Sequence, residues 1–165
     1  MRPPRAAALA CLLVLSVSAR PYEPAAGSRT ADGLTITDLR AHLFYSDQGS
    51  FSRNILAQPA FALWNTVIGA GDAEGPSNAT LLVVEVTGTA NSYPSKAQVE
   101  IAVSTKGREI LRRHLPVGLL GEKGHAYVAF WLDNTGCEPL RVSTALLGQT
   151  DPSRRVATIP FECGE

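Results

Sequence analysis

Apolar and polar residues alternate over several short stretches of the chain, a period of two that is typical of half-buried β-strands. The first such stretch has two interleaved sets, Leu39, Ala41, Leu43 and Tyr45 against Asp38, Arg40, His42 and Phe44. Residues 80–88 are mostly aliphatic and β-branched, which favours a central strand. Glu85 interrupts that run, and either faces outward from a half-exposed strand or is a partly buried acid with a functional role.

Residues 99–104 alternate in the same way, and the pattern resumes over 109–115. Gly107 in the short connection can supply the positive φ that tight hairpins need, so the two runs predict an antiparallel hairpin. Three further strands are predicted from apolar runs at Tyr127–Leu132, Leu140–Leu147 and Val156–Phe161.

The segment 61–68 is ambiguous. Phe61, Trp64 and Ile68 fit helical spacing, whereas the β-branched run 66–68 favours a strand. A strand is the preferred interpretation, which gives seven or eight strands separated by turn residues and no confident helix after residue 33. This pattern predicts an all-β fold, an immunoglobulin-like antiparallel β-sandwich formed by one domain over residues 34–165.

The N-terminus has the layout of a cleavable secretory signal. Arg2 and Arg5 precede an apolar run over residues 6–17, and the small residues up to Ala19 form a cleavage site. The run is too short to span a bilayer, so no transmembrane segment is expected. A lipoprotein cleaved before Cys11 is the alternative. Residues 20–33 are rich in turn-forming residues and predict a flexible lead-in.

Composition narrows the possible partners and bonds. Loss of residues 1–19 would remove two arginines and leave 13 basic against 15 acidic residues, a formal charge of −2 that argues against nucleic acid as a partner. The two cysteines left, Cys137 and Cys163, would form a disulfide in an oxidising extracytoplasmic compartment, either periplasmic or outside the cell.

The sequence contains no recognisable motif for cofactor binding, metal binding or covalent catalysis. The glycine-rich segment 69–75 lacks the Gly-Lys-Ser/Thr ending of a phosphate loop, and its two acids do not make a calcium loop. The three histidines, His42, His114 and His125, are far apart in sequence and form no local metal motif. No cofactor and no metal are therefore expected.

The sequence favours an exported, non-enzymatic binding protein whose partner is a protein or an envelope polymer. A small glycan or peptide hydrolase is the alternative, since folding can bring two carboxylates together without any sequence motif. The available acids are Asp38, Asp47, Glu85 and Asp133. A structural accessory domain of an envelope assembly is the third possibility.

The strand at 127–133 supplies the one specific site hypothesis. Alternation sends Val128, Phe130 and Leu132 to the core, and the opposite face carries Tyr127, Ala129, Trp131 and Asp133. Tyr127 and Trp131 are amphipathic aromatics of the kind enriched at recognition surfaces. They either pack under a covering layer or form an exposed anchor for a partner.

Overall fold

The computed structural model describes residues 33–57, 63–64, 70–71, 73–134, 137–149 and 151–162, and every regular element in these ranges is a β-strand. The predicted signal, and all of the predicted lead-in except Gly33, lie outside them. In chain order the strands are β1 (Thr35–Tyr45), β2 (Ser50–Phe51), β3 (Leu63–Trp64), β4 (Ala70–Gly71), β5 (Ala79–Thr87), β6 (Gln98–Thr105), β7 (Arg108–Pro116), β8 (His125–Asp133), β9 (Leu140–Leu147), β10 (Arg154–Ile159) and β11 (Phe161–Glu162).

Seven long strands form two antiparallel sheets that pack face to face. The first sheet has the order β2-β1-β5-β8, and the second has the order β10-β9-β6-β7. A small third sheet, β11-β3-β4, is made of two-residue strands. The predicted all-β fold is confirmed, and the two four-stranded sheets are consistent with the predicted sandwich. No helix in the described ranges has the length and apolarity to cross a bilayer.

The core forms because the alternation in each long strand sends one set of side chains inward. In β1 the predicted inward set is buried, and the predicted outward set is partly exposed. β5 pairs with β1 on one side and with β8 on the other, and the buried positions of the three strands lie on the same face of the sheet. The two sheets contribute these fully buried core side chains, among others: Leu43, Leu82, Val84, Val86, Val99, Ile101, Val103, Val142 and Leu146.

The predicted hairpin is confirmed as β6 and β7. Thr105 faces Arg108 across the ladder, so Lys106 and Gly107 form a two-residue connection. Both have positive φ, 48° and 76°, which is the backbone of a type I′ turn. Glycine adopts this conformation freely, whereas Lys106 takes it at some cost because its Cβ crowds the backbone.

A close approach of two glycines fixes where β8 begins. The Gly88 amide after β5 donates to the Gly124 carbonyl before β8 over 2.9 Å. A Cβ on Gly124 would overlap the Gly88 carbonyl oxygen, and the φ of Gly124 is +74°. Only glycine fits there, so this contact sets the register in which β8 enters the sheet.

The last predicted strand divides at a proline. β10 ends at Ile159, and after Pro160 the chain enters the third sheet as β11, where Phe161 pairs in parallel with Leu63. Proline lacks the amide that would continue the ladder with β9. Leu63 and Trp64 are a strand, as preferred for the ambiguous segment, but residues 61–62 and 65–69 lie outside the described ranges.

Two isoleucines test the assignment of the core. Ile101 is fully buried in β6, whereas Ile110 in β7 is 50% exposed. We expect Ile101→Ala to lower the free energy of unfolding by about 2–5 kcal/mol, because it empties a packed site. Ile110→Ala makes the same deletion at the surface and should stay within about 0.5 kcal/mol of wild type. Denaturant unfolding measures both, and equal losses would contradict the assignment.

Candidate functional site

The outer face of the first sheet carries a group of apolar side chains. We call it the aromatic face, and it consists of Phe44, Phe51, Leu81, Val83, Tyr127 and Trp131. Phe51 is 47% exposed, Trp131 43% and Tyr127 56%. The other three members are partly exposed. Four strands therefore contribute apolar side chains to one side of the sheet, on the face opposite the core.

Three rings of this face pack on one another. The centroids of Phe44 and Phe51 are 5.3 Å apart, and Trp131 lies 5.5 Å from Phe44 and 5.8 Å from Phe51. The Phe44–Trp131 pair is edge-to-face, at an interplanar angle of 86°. Aromatic pairs in such geometry stabilise one another beyond their buried area. The cluster is thus held in a defined arrangement although two of its rings remain substantially exposed.

The structure places both predicted site residues of β8 on this face. Tyr127 and Trp131 point to the same side of the sheet, about 13 Å apart for four strand residues. Val128 and Leu132 are buried on the other side, and Phe130 is partly buried against the core. The alternation predicted for β8 is confirmed, and Tyr127 and Trp131 are exposed side chains.

Sequence reasoning missed the two phenylalanines. Phe44 belongs to the outward set of β1, where an aromatic among polar residues is a signal for a surface patch. Phe51 belongs to a two-residue strand, and nothing in its sequence context indicates that it meets Trp131. Phe51 and Trp131 are distant in sequence. Their rings meet because β2 folds back along β1, where Phe51 faces Phe44.

Next to the aromatic face lies a charged quartet of Asp38, Arg40, Glu85 and His125. Arg40 donates to Asp38 over 2.7 Å and to Glu85 over 2.6 Å. The second carboxylate oxygen of Glu85 lies 2.6 Å from Nδ1 of His125. The register of strand pairing brings these side chains together. Asp38 and Glu85 are cross-strand neighbours on β1 and β5, and Glu85 faces Tyr127 of β8.

The quartet also contacts the aromatic face. The Arg40 guanidinium lies 5.9 Å from the ring centroid of Tyr127, within cation–π distance. The hydrogen bond to Asp38, with the charges of Asp38 and Glu85, raises the pKa of Arg40 above its usual value. Arg40 is therefore charged at any physiological pH, and it supports Tyr127 from one side.

Glu85 lies on the outer face of β5, as the first of its two interpretations predicts, but it is also a partly buried acid, as the second requires. Its side chain is only 12% exposed, because its neighbours cover it. Of the four candidate acids, the fold brings Asp38 and Glu85 together, whereas Asp47 lies in the turn after β1 and Asp133 at the far end of β8. Arg40 occupies the space between the two neighbouring carboxylates.

The three histidines lie apart, each with its own hydrogen-bond partner. His42 contacts the carbonyl of Ser52, His114 contacts Glu100, and His125 contacts Glu85. Within the described ranges, no three His, Cys, Asp or Glu side chains are grouped as metal ligands would be.

The proposed disulfide falls partly outside the described ranges. Cys137 lies between β8 and β9, three residues before Leu140. Cys163 is outside those ranges, so the bond between the two cysteines stays a prediction.

Comparisons with known proteins find no protein-family model and no curated protein that matches the chain. The fold and the outer face of the first sheet therefore carry the functional argument.

Removal of the Glu85 carboxylate should weaken the first sheet. We expect Glu85→Ala to lower the free energy of unfolding by about 1–3 kcal/mol, because it removes charge-assisted hydrogen bonds to Arg40 and His125 in a covered position. Glu138→Ala is the control, since it breaks an exposed pair with Lys106 and should cost less. Thermal or denaturant unfolding measures the stability of both variants. An equal or greater loss of unfolding free energy for Glu138→Ala would contradict the stabilising role of the quartet.

Proposed function

We propose that this protein is an exported, non-enzymatic β-sandwich that binds a protein or an envelope polymer through the aromatic face. The observation that carries the proposal is the exposure of Phe51, Tyr127 and Trp131 on one side of the first sheet. Contiguous apolar patches on soluble proteins are typical of interaction sites. Tyr and Trp in particular dominate binding energies at such sites.

The opposite outer face supports this choice of surface. On the second sheet, Glu100 accepts from Arg112 over 2.6 Å and lies 3.1 Å from His114. Arg112 also pairs with Glu109. Three of these polar side chains are nearly half exposed, whereas Glu100 is mostly covered, and all four offer little apolar area for a partner to bury. Binding free energy from desolvation is thus available on the aromatic face and scarce on the other.

The fold type within the sandwich class belongs to the same proposal. If the long strands are lettered in chain order as A (β1), B (β5), C (β6), C′ (β7), E (β8), F (β9) and G (β10), the sheets read A-B-E and G-F-C-C′. This arrangement supports an immunoglobulin-like sandwich, a scaffold common among interaction domains. Fold alone does not define function, so the argument for binding depends on the aromatic face.

The proposal that the protein is exported is based on the sequence of residues 1–19. We expect the protein recovered from the periplasm or the medium of an exporting host to begin at Arg20 and to carry no lipid, since the small residues up to Ala19 end a short apolar run typical of a cleaved signal. Intact mass measures this directly. A mass that corresponds to a chain starting at Cys11 with acyl groups would contradict it.

Trp131 tests the binding surface. We expect Trp131→Ala to weaken capture of the partner from an envelope extract at least tenfold, about 1.4 kcal/mol. The same variant should lose only about 1–2 kcal/mol of unfolding free energy, since Trp131 is 43% exposed and its stabilising contacts are the rings of Phe44 and Phe51. Emptying a buried aromatic site would cost about 3–5 kcal/mol.

Tyr93→Ala is the matched control, because Tyr93 is 52% exposed in the connection between β5 and β6. It removes an exposed aromatic without altering the aromatic face, so capture should be unchanged. Equal capture by wild type and Trp131→Ala would refute the proposal.

A further inference from the structure

β8 is the last strand of the first sheet and has an open edge. It pairs with β5 over nine residues without a register shift, and no described strand pairs with its other side. On that side the carbonyl of His125 accepts from the Gly121 amide over 2.9 Å, so the open part of the edge begins at Tyr127. The run 126–132 between its terminal residues contains no charged residue, no proline and no glycine. A long, regular and apolar edge of this kind is a template for another strand.

Two hydrogen bonds show which backbone groups point to this edge. The amide of Gly88 donates to the carbonyl of Gly124, and the amide of Asn134 donates to the carbonyl of Asn78. Even-numbered residues of β8 therefore direct their backbone groups toward β5, because directions alternate along a strand. The odd-numbered residues Tyr127, Ala129 and Trp131 direct their amides and carbonyls away from it.

The other long edges of the sandwich are protected. On the free side of β1, Asn54 and Ser52 accept from the amides of Ala41 and Leu43, and the amide of Ile36 donates to Ser153. β7 has basic side chains and Pro116, and its pairing with β6 shifts register between Val103 and Ser104 of β6. β10 begins with two arginines. Charges, proline and irregular pairing are the devices that block strand addition, and the run 126–132 of β8 lacks them.

We infer that the β8 edge binds a second copy of this chain, antiparallel about a two-fold axis at Ala129. In that register Ala129 faces Ala129 of the second copy, and both chains direct their free backbone groups to each other. Tyr127 then faces Trp131 of the second copy, so these three positions exchange N–H···O bonds across the seam. The two four-stranded sheets join into one sheet of eight strands.

The side chains favour this register. Tyr127 faces Trp131 at both symmetric positions, an aromatic cross-strand pair. On the inner side Val128 faces Phe130, so apolar groups meet apolar groups. A symmetric dimer needs such self-complementarity, and β8 supplies it from Tyr127 to Trp131.

Strand pairing leaves the aromatic face accessible, since side chains of odd-numbered residues stay perpendicular to the joined sheet. The dimer would place two aromatic faces side by side. The inference does not depend on the proposed function, because a dimer can form whether or not the aromatic face binds a partner.

The first experiment measures molar mass by light scattering or sedimentation over a range of micromolar concentrations. We expect wild type to approach twice the mass of one chain, and Ala129→Pro to stay at the mass of one chain with an unchanged fold. The proline removes an amide that faces the open edge and is not used in pairing with β5. Ala129→Lys should act likewise, because two lysines would face each other across the seam.

Val156→Lys is the matched control, because it adds the same charge at an exposed site on the edge of the other sheet. It should remain dimeric. A wild type that is monomeric throughout the range, or dimers of both Ala129 variants, would overturn the inference. Neither result would bear on capture through Trp131, which is measured separately.

Cross-linking tests the register even if a proline variant fails to fold. Facing hydrogen-bonded residues have Cα atoms about 5.5 Å apart, which suits a disulfide. We expect Ala129→Cys to cross-link to itself on mild oxidation. Tyr127→Cys should cross-link only when mixed with Trp131→Cys, because two copies of residue 127 would be about 14 Å apart along the seam. Peptide mapping identifies the bonds. A Tyr127→Cys protein that cross-links readily to itself would contradict the register.

Discussion

Burial of one aliphatic side of each sheet is the constraint on which the rest of the structure depends. β1, β5 and β8 each send every second side chain into the layer between the sheets, where Leu43, Leu82 and Val128 are buried. A slip of one residue would exchange the buried and exposed sets of a strand, at a cost of many apolar contacts. The same constraint therefore holds Trp131 and Tyr127 on the outer face. Their position is a consequence of core packing, so the aromatic face forms without a partner.

Most of the fold could be predicted from alternation alone. The seven long strands, the hairpin turn at Gly107 and the two faces of β8 follow from local pattern, because a period of two is visible within about six to nine residues. The division of the last strand at Pro160 was not predicted, since the third sheet that receives Phe161 depends on a distant segment. Short strands such as Ser50–Phe51 carry too few residues to show any period, and only pairing with β1 defines them.

The candidate site was predicted only in part, and for a physical reason. Tyr127 and Trp131 lie on one strand, so their common face is a local property. The aromatic cluster and the charged quartet are properties of register between strands, as with Arg40 and Glu85, which are 45 residues apart. Their meeting depends on the β1–β5 pairing and on the irregularity between Ile36 and Asp38 that shifts it. No short-range pattern encodes such a contact, although an outward aromatic such as Phe44 marks the surface involved.

The alternation of β8 also has a consequence for how this sequence can diverge. Substitutions at the even positions, such as Val128, alter the core and therefore change the stability of the fold. Other apolar residues of similar volume are tolerated there. Substitutions at the odd positions, such as Ala129 and Trp131, leave the core intact, and any loss of stability comes from contacts on the outer face, such as those of Trp131 with Phe44 and Phe51. Within one strand of nine residues, core packing therefore constrains the even positions, and contacts on the outer face constrain the odd positions. Descendants that keep the core but lose the contacts of the outer face would change more freely at the odd positions of β8 than at the even ones.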